Sequence, residues 1–305
     1  MALPHVISKG GWTLFKKIAL ALLAVLGLLL TFGSEDSYKS SLFSGGGAGG
    51  ETVTLAYVNW DSEVASTQVI AEVLRQEGFN VEQVPLDNAI MWSSVASGES
   101  DAMVSAWLPI THGEQIEQYG DQIVHAGVSL EGARTGLVVP TYMDQVNSIE
   151  DLSSEAGQTI TGIEPGAGIM ASTEKALQEY PNLASWNLAS SSSGAMATSL
   201  GQAYNNQEEI VVTGWNPHWK FAKYDLKYLE DPKGVYGEGE TINTYTRQGF
   251  QEDNPRAYQI LANFHWSLED MESVMLEIAN GTDPSQAAQK WIEANPDKVS
   301  EWTAE

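Results

Sequence analysis

From Val53 onward, short apolar runs alternate with stretches whose apolar residues recur at helical spacing. This alternation predicts strands and helices in turn. The first strand is expected over Val53 to Val58. A helix follows from about Ser66 to Gln76, its buried face Val69, Ile70, Val73 and Leu74, with Gly78 as carboxyl cap. A strand at Asn80 to Leu86, a helix at Ala89 to Ala96 and a strand at Ala102 to Ala106 continue the pattern. Units of this kind imply a mainly parallel sheet and an α/β fold. Leu137 to Pro140 reads as a short strand leaving the first unit. A second cycle then runs through a helix near Ile149 to Glu155, strand Thr159 to Ile163 and helix Gly168 to Glu179. A strand near Ser185 to Leu188, helix Gly194 to Tyr204 and strand Ile210 to Thr213 complete it. Past Asp231-Pro232-Lys233-Gly234 the chain is expected to be helical to its end, over Pro255 to Phe264, Leu268 to Ala279 and Pro284 to Ala294. Two α/β units with a helical return segment suggest two lobes around a cleft, crossed by the chain near Gly136 to Tyr142 and again near Pro232 to Gly239. The expected division is residues 51–138 with 237–305 in lobe 1, and 139–236 in lobe 2.

Upstream the pattern changes. Ile18 to Phe32 is an unbroken apolar run flanked by Lys16 and Lys17. With Trp12, Leu14 and Phe15 it approaches the length that spans a bilayer, and the lysines predict a cytoplasmic amino terminus. Thr31-Phe32-Gly33-Ser34 is a poor small-residue cleavage site, which favours an uncleaved transmembrane anchor (residues 1–33) over a signal peptide. Residues 34–50 end in Ser-Gly-Gly-Gly-Ala-Gly-Gly, a flexible tether. Either reading of the apolar run puts the folded part outside the cytoplasm.

Composition narrows the partners. The 305 residues carry 15 basic and 40 acidic groups, a net charge of −25. Four lysines and only two acids lie before Glu51, so the folded part is more acidic still. Such a surface argues against nucleic acid or an anionic membrane as its partner. The absence of cysteine excludes disulfides, thiolate metal sites, cysteine nucleophiles and an acylated lipoprotein cysteine. The five histidines show no ligand spacing, so no metal or cofactor is expected. No Gly-x-Ser-x-Gly elbow and no placed acid/base pair supports an enzyme.

The remaining candidates are tryptophans. Val211 to Trp219 places indoles just past an apolar strand. Ala106-Trp107-Leu108-Pro109 and Phe264-His265-Trp266 repeat the arrangement. A quaternary ammonium donates no conventional hydrogen bond, so proteins hold it with aromatic faces, of which Trp is the best. In open α/β sheets ligands bind beyond the carboxyl ends of strands, where Trp107 and Trp215 fall. Trp60 also follows a strand and is open to either role, while Trp92, Trp186, Trp219, Trp291 and Trp302 read as packing. Trp60-Asp61-Ser62-Glu63-Val64 leads straight into the first helix, whose free N–H groups suit an anion. Glu164-Pro165-Gly166-Ala167-Gly168 reads as a turn opening a helix, and Ser190 to Ser193 as an N-cap region. Either loop is able to add hydrogen bonds to a cleft ligand.

Five segments together resemble a known family: Tyr57-Val58-Asn59-Trp60-Asp61, Ser105-Ala106-Trp107-Leu108-Pro109, Gly136-Leu137-Val138-Val139-Pro140, Gly162 to Gly168, and Val211 to Trp219. In order and over about Glu51 to Thr303, they are similar to the substrate-binding domain of glycine betaine ABC importers, and most similar to the version fused to its permease. The resemblance implies a two-lobed, periplasmic-binding-protein-like fold of type II that closes on a compatible solute. It implies a cage of Trp107, Trp215 and Trp266 for the trimethylammonium group, and backbone N–H groups of Glu63 and Val64 for the carboxylate. The implied partners are glycine betaine, with proline betaine as a second ligand, and an ABC permease with its ATPase. The implied place is the extracytoplasmic face of the membrane. A choline or carnitine receptor is the alternative ligand class, and an extracytoplasmic enzyme on a trimethylammonium compound is the more remote one. The family's free-standing members carry a lipid-anchoring cysteine. This chain instead reads as self-anchored, or as the last transmembrane helix and receptor domain of a fused protein.

Overall fold

Residues 50–305 are described by the computed structural model. The expected membrane anchor, and all of the tether except Gly50, lie outside the described residues. Among the described residues no helix is long and apolar enough to cross a membrane.

Among the described residues nine strands run β1 (Thr52–Tyr57), β2 (Asn80–Pro85), β3 (Ala102–Leu108), β4 (Ile123–Pro140), β5 (Thr159–Thr161), β6 (Asn187–Ala189), β7 (Val211–Asn216), β8 (Leu226–Tyr228) and β9 (Glu240–Arg247). The helices between the early strands are α1 (Asp61–Gln76), α2 (Asn88–Ser97), α3 (Gly113–Tyr119), α4 (Gly168–Glu179), α5 (Ser193–Asn206) and α6 (Lys220–Lys223). After β9 come α7 (Phe250–Asp253), α8 (Pro255–Asn263), α9 (Leu268–Ala279), α10 (Pro284–Ala294) and α11 (Pro296–Trp302).

Two sheets result, sharing one long strand, and each carries one lobe. In the first, β1 pairs in parallel with β2 and β3, and β9 then runs antiparallel between β3 and β4. Strand β4 pairs with β9 from Ile123 to Ala133 and changes partner at Arg134, pairing antiparallel with β7 through Val138. It continues against β8, while β5 pairs in parallel with β6 and β7. The α/β alternation is therefore largely as expected, although the helix read near Ile149 to Glu155 is a 3-10 turn over Ile149–Asp151, the short β8 was not read, and two further strands depart from the reading. The segment read as only Leu137 to Pro140 is an 18-residue strand, and the tail read as wholly helical opens with β9.

Packing follows the helical stripe. Val69, Ile70, Val73 and Leu74 of α1 are all fully buried, each contributing about 1.5–3 kcal/mol relative to exposure. Helix α1 starts at Asp61, five residues earlier than the apolar stripe suggests, because Trp60 already adopts an extended N-cap conformation there. That earlier start brings the first turn of α1 to the carboxyl end of β1, beside the cleft.

Candidate ligand-binding site

One cavity lies where the carboxyl ends of the strands of both sheets face each other, as the general rule for open α/β sheets requires. Its empty space is about 340 Å³ including the mouth, and Trp60, Trp107 and Trp215 all line it. Each indole is buried. Trp60 comes from the turn joining β1 to α1, and Trp107 from β3, both in the first lobe. Trp215 comes from β7 in the second lobe, opposite Thr135 of β4, which also lines the cavity.

Backbone and side chain together fix these rings. His112 Nδ1 accepts the Trp107 backbone N–H at 3.0 Å, and the His112 N–H returns to the Trp107 carbonyl at 2.9 Å. The imidazole stacks at 13° on Trp60, ring centroids 6.3 Å apart. Burial pushes His112 down to about 3, so this wall is uncharged at neutral pH. The other lining residues are serine, threonine, glycine and aliphatic side chains, and none is charged. A net-neutral solute with an apolar-shelled cation suits such a wall.

Trp266 is a correction to the sequence reading. It does not line this cavity and is buried instead against Phe264 at 5.5 Å and edge-on to Trp291 at 5.6 Å. Its segment joins α8 to α9, so it follows a helix and not a strand of the sheet, and its ring completes the core of the C-terminal helices. Trp60 takes the place in the cavity that Trp266 was expected to hold. The signal was present: Trp60 follows a parallel strand of the sheet, and Trp107 lies at the carboxyl end of another.

The expected carboxylate donors are a second correction. The Val64 N–H is already spent on the Trp60 carbonyl at 2.9 Å. Glu63 is fully buried and its Oε2 accepts the Val58 N–H at 2.8 Å; burial raises its carboxyl to about 8. Neither residue lines the cavity, although Ser62 of the same turn does. Helix α4 offers better donors. Gly168 and Ile169 open it and both line the cavity. Ala167 donates to the Glu164 carbonyl and Met170 to the Ala167 carbonyl, leaving the Gly168 and Ile169 amides without an acceptor among the described residues. The first turn of α4 has no acid, whereas that of α1 holds Asp61 and Glu63. A carboxylate therefore meets a positive helix end at α4 without like-charge repulsion.

Polar ties hold the lobes together around this cavity. Asp61 accepts the Trp219 indole N–H at 3.1 Å and the Ser193 hydroxyl at 3.4 Å, with His218 Nε2 at 3.3 Å. Burial alone would raise Asp61, but these partners outweigh it and hold the carboxyl at about 2. In the other direction, Glu164 of the second lobe accepts the Trp60 indole N–H at 3.1 Å and the Ser193 backbone N–H at 3.0 Å. Asn88 donates to the Gly166 carbonyl at 3.0 Å. Trp219, read from sequence as packing, thus also bridges the lobes, as does His218, for which the sequence suggested no role.

Residues 51–294 match the model of the substrate-binding domain of the ABC-type glycine betaine transport system. The chain belongs to this family. Within it, lactococcal OpuAC, solved closed and complexed with glycine betaine, is 52% identical. That likeness covers 83% of this chain and 99% of OpuAC, with a TM-score of 0.81. The glycine betaine/L-proline-binding protein ProX of Borrelia burgdorferi is 32% identical over 84% of this chain and 97% of its own, with a TM-score of 0.80. The glycine betaine/carnitine transport binding protein GbuC of Listeria monocytogenes is 52% identical over 164 residues, 53% of this chain and 55% of GbuC. That alignment spans about half the length of this curated relative. Members of the family are substrate-binding domains of transporters, not enzymes.

Proposed function

We propose that this chain is the extracytoplasmic receptor of an ABC importer and captures glycine betaine for osmoprotection, with proline betaine as a second ligand. The observation that carries the reading is the cavity itself: three buried indoles from two lobes enclose a space with no charged side chain, and two free helix-terminal amides open onto it. In this reading Trp60, Trp107 and Trp215 cage the trimethylammonium group by cation–π attraction, about 0.5–2 kcal/mol per face. The Gly168 and Ile169 amides hold the carboxylate. The relatives that bind glycine betaine support the ligand, and carnitine in the description of GbuC makes a hydroxylated homologue the natural competitor.

Lobe 1 comprises residues 51–138 and 237–305, lobe 2 residues 139–236, and closure brings Trp215 onto the two indoles of lobe 1. An ABC permease and its ATPase receive the ligand, and the amino-terminal apolar segment attaches the receptor to the membrane. Titration of the full-length chain with glycine betaine, followed by tryptophan fluorescence, tests this. A saturable change is expected, with choline and carnitine competing more weakly. No saturable change with any of them would overturn the reading.

A further inference from the structure

Lys220 has no part in the site as described, yet it is fully buried. Its ammonium nitrogen stands 4.3 Å from the centroid of Trp215 and 5.3 Å from that of Phe221. Its one hydrogen-bond acceptor is the Trp215 carbonyl, at 3.4 Å, and among the described residues no carboxylate forms a salt bridge with it. A charged ammonium with three donors and one long hydrogen bond is poorly compensated at such a depth. Trp215 lines the cavity and Lys220 does not, so the amine shares the Trp215 indole with a caged cation without entering the cavity.

We infer that Lys220 sets the cation affinity of the cage: an uncharged amine behind Trp215 leaves the indole free to attract the ligand, and a proton taken up there weakens capture. This rests on the betaine reading above. A caged nitrogen within about 6 Å of the Trp215 centroid lies on the order of 10 Å from Lys220 Nζ. Two like charges at that distance in a partly buried setting change affinity about ten-fold, and the ligand's own carboxylate a few Å farther off cancels part of this, leaving a change of about two- to three-fold.

Burial sets the state of the Lys220 amine. Burial lowers it well below its ordinary value, and only the Asp61 carboxylate at the head of α1 opposes this. His218, two residues away on its own loop, is itself held down to about 4 by burial, against the pull of Asp61. Beyond it, Arg134 of β4 stacks on Tyr228 of β8 at 4.2 Å, and Glu272 of α9 faces the His218 backbone. The sign follows from which form binds: the neutral amine favours the ligand, so affinity rises with pH and levels off once Lys220 has lost its proton.

The test is glycine betaine titration of the full-length chain between about pH 5 and about pH 9, a range in which a depressed lysine titrates, for the wild type and Lys220→Met. The wild type is expected to bind about two- to three-fold more weakly at the acidic end. Lys220→Met, which keeps Asp61, His218 and Glu272, is expected to bind tightly throughout. Lys220→Gln serves as the second uncharged variant if the methionine protein does not fold, with near-ultraviolet circular dichroism as the check. A pH profile shared by wild type and variants would overturn the inference and leave the betaine reading intact. No saturable signal from the wild type at any pH would overturn both.

Discussion

Trp60→Ala is expected to weaken glycine betaine binding by about ten- to a hundred-fold, while Trp266→Ala leaves the affinity within about two-fold of the wild type. The first figure combines one lost aromatic face, up to about 2 kcal/mol, with one lost hydrogen bond of about 1 kcal/mol. That hydrogen bond runs from the Trp60 indole to Glu164 across the lobes, so the variant damages closure as well as the cage. Trp266 sits among Phe264 and Trp291, and truncating a buried Trp costs about 3–5 kcal/mol of stability. The two variants should therefore separate cleanly. Calorimetric titration reads the loss for Trp60→Ala, and thermal unfolding reads the loss for Trp266→Ala. Unchanged affinity in Trp60→Ala, or a large loss in a folded Trp266→Ala, would restore the cage expected from sequence.

A single methyl group at Gly168 is expected to cost at least as much. A Cβ there would stand 1.8 Å from the Thr111 carbonyl oxygen and 2.7 Å from its carbon. Thr111 belongs to the turn after β3 in the first lobe, and Gly168 opens α4 in the second, so the clash lies on the closing surface. Thr111 has little freedom to retreat. Its backbone N–H and that of Ile110 both donate to Glu240, at 2.6 and 3.0 Å, and its hydroxyl binds the same carboxylate. Alanine at 168 should hold the lobes apart, leave the Ile169 amide short of the ligand and reduce affinity by at least about a hundred-fold, a loss of about 2.7 kcal/mol. The backbone of Gly168 is not in the left-handed region, so the lobes themselves should fold normally. Gly194→Ala is the control: it also lies at the start of a helix, α5, but its Cβ meets nothing within 4 Å. Titration of both variants, with circular dichroism for folding, checks this; wild-type affinity in Gly168→Ala would remove the close approach from the account.

Much of this was legible in the amino-acid sequence, for physical reasons that also mark where legibility ends. The α/β alternation could be read because parallel strands buried on both faces are short apolar runs, and α1 because its stripe has helical spacing. Strand β9 escaped because Glu240-Thr241-Ile242-Asn243-Thr244-Tyr245-Thr246-Arg247 is mostly polar. Its burial comes from pairing between β3 and β4, which no local pattern announces. The long β4 was hidden by glycines and by three breaks in its register with β9. Trp107 and Trp215 were found by their position after strands. The same rule applied to Trp60, whereas Trp266 was drawn in by the family resemblance and by a local likeness, an indole near the end of a predicted element, that carries no information about the sheet. The anion donors could not be chosen from sequence, because whether an N–H is free depends on backbone bonds such as that from Val64 to Trp60. The ties through Asp61 and Glu164 depend on pairings more than 100 residues apart in the chain.

The central claim is the identity of the cage, and a crystal structure of this chain grown with glycine betaine tests it most directly. The account predicts the ligand nitrogen among the rings of Trp60, Trp107 and Trp215, with the carboxylate oxygens within hydrogen-bond distance of the Gly168 and Ile169 amides. A ligand nitrogen resting against Trp266, or a carboxylate bound by the amides of Glu63 and Val64, would contradict it.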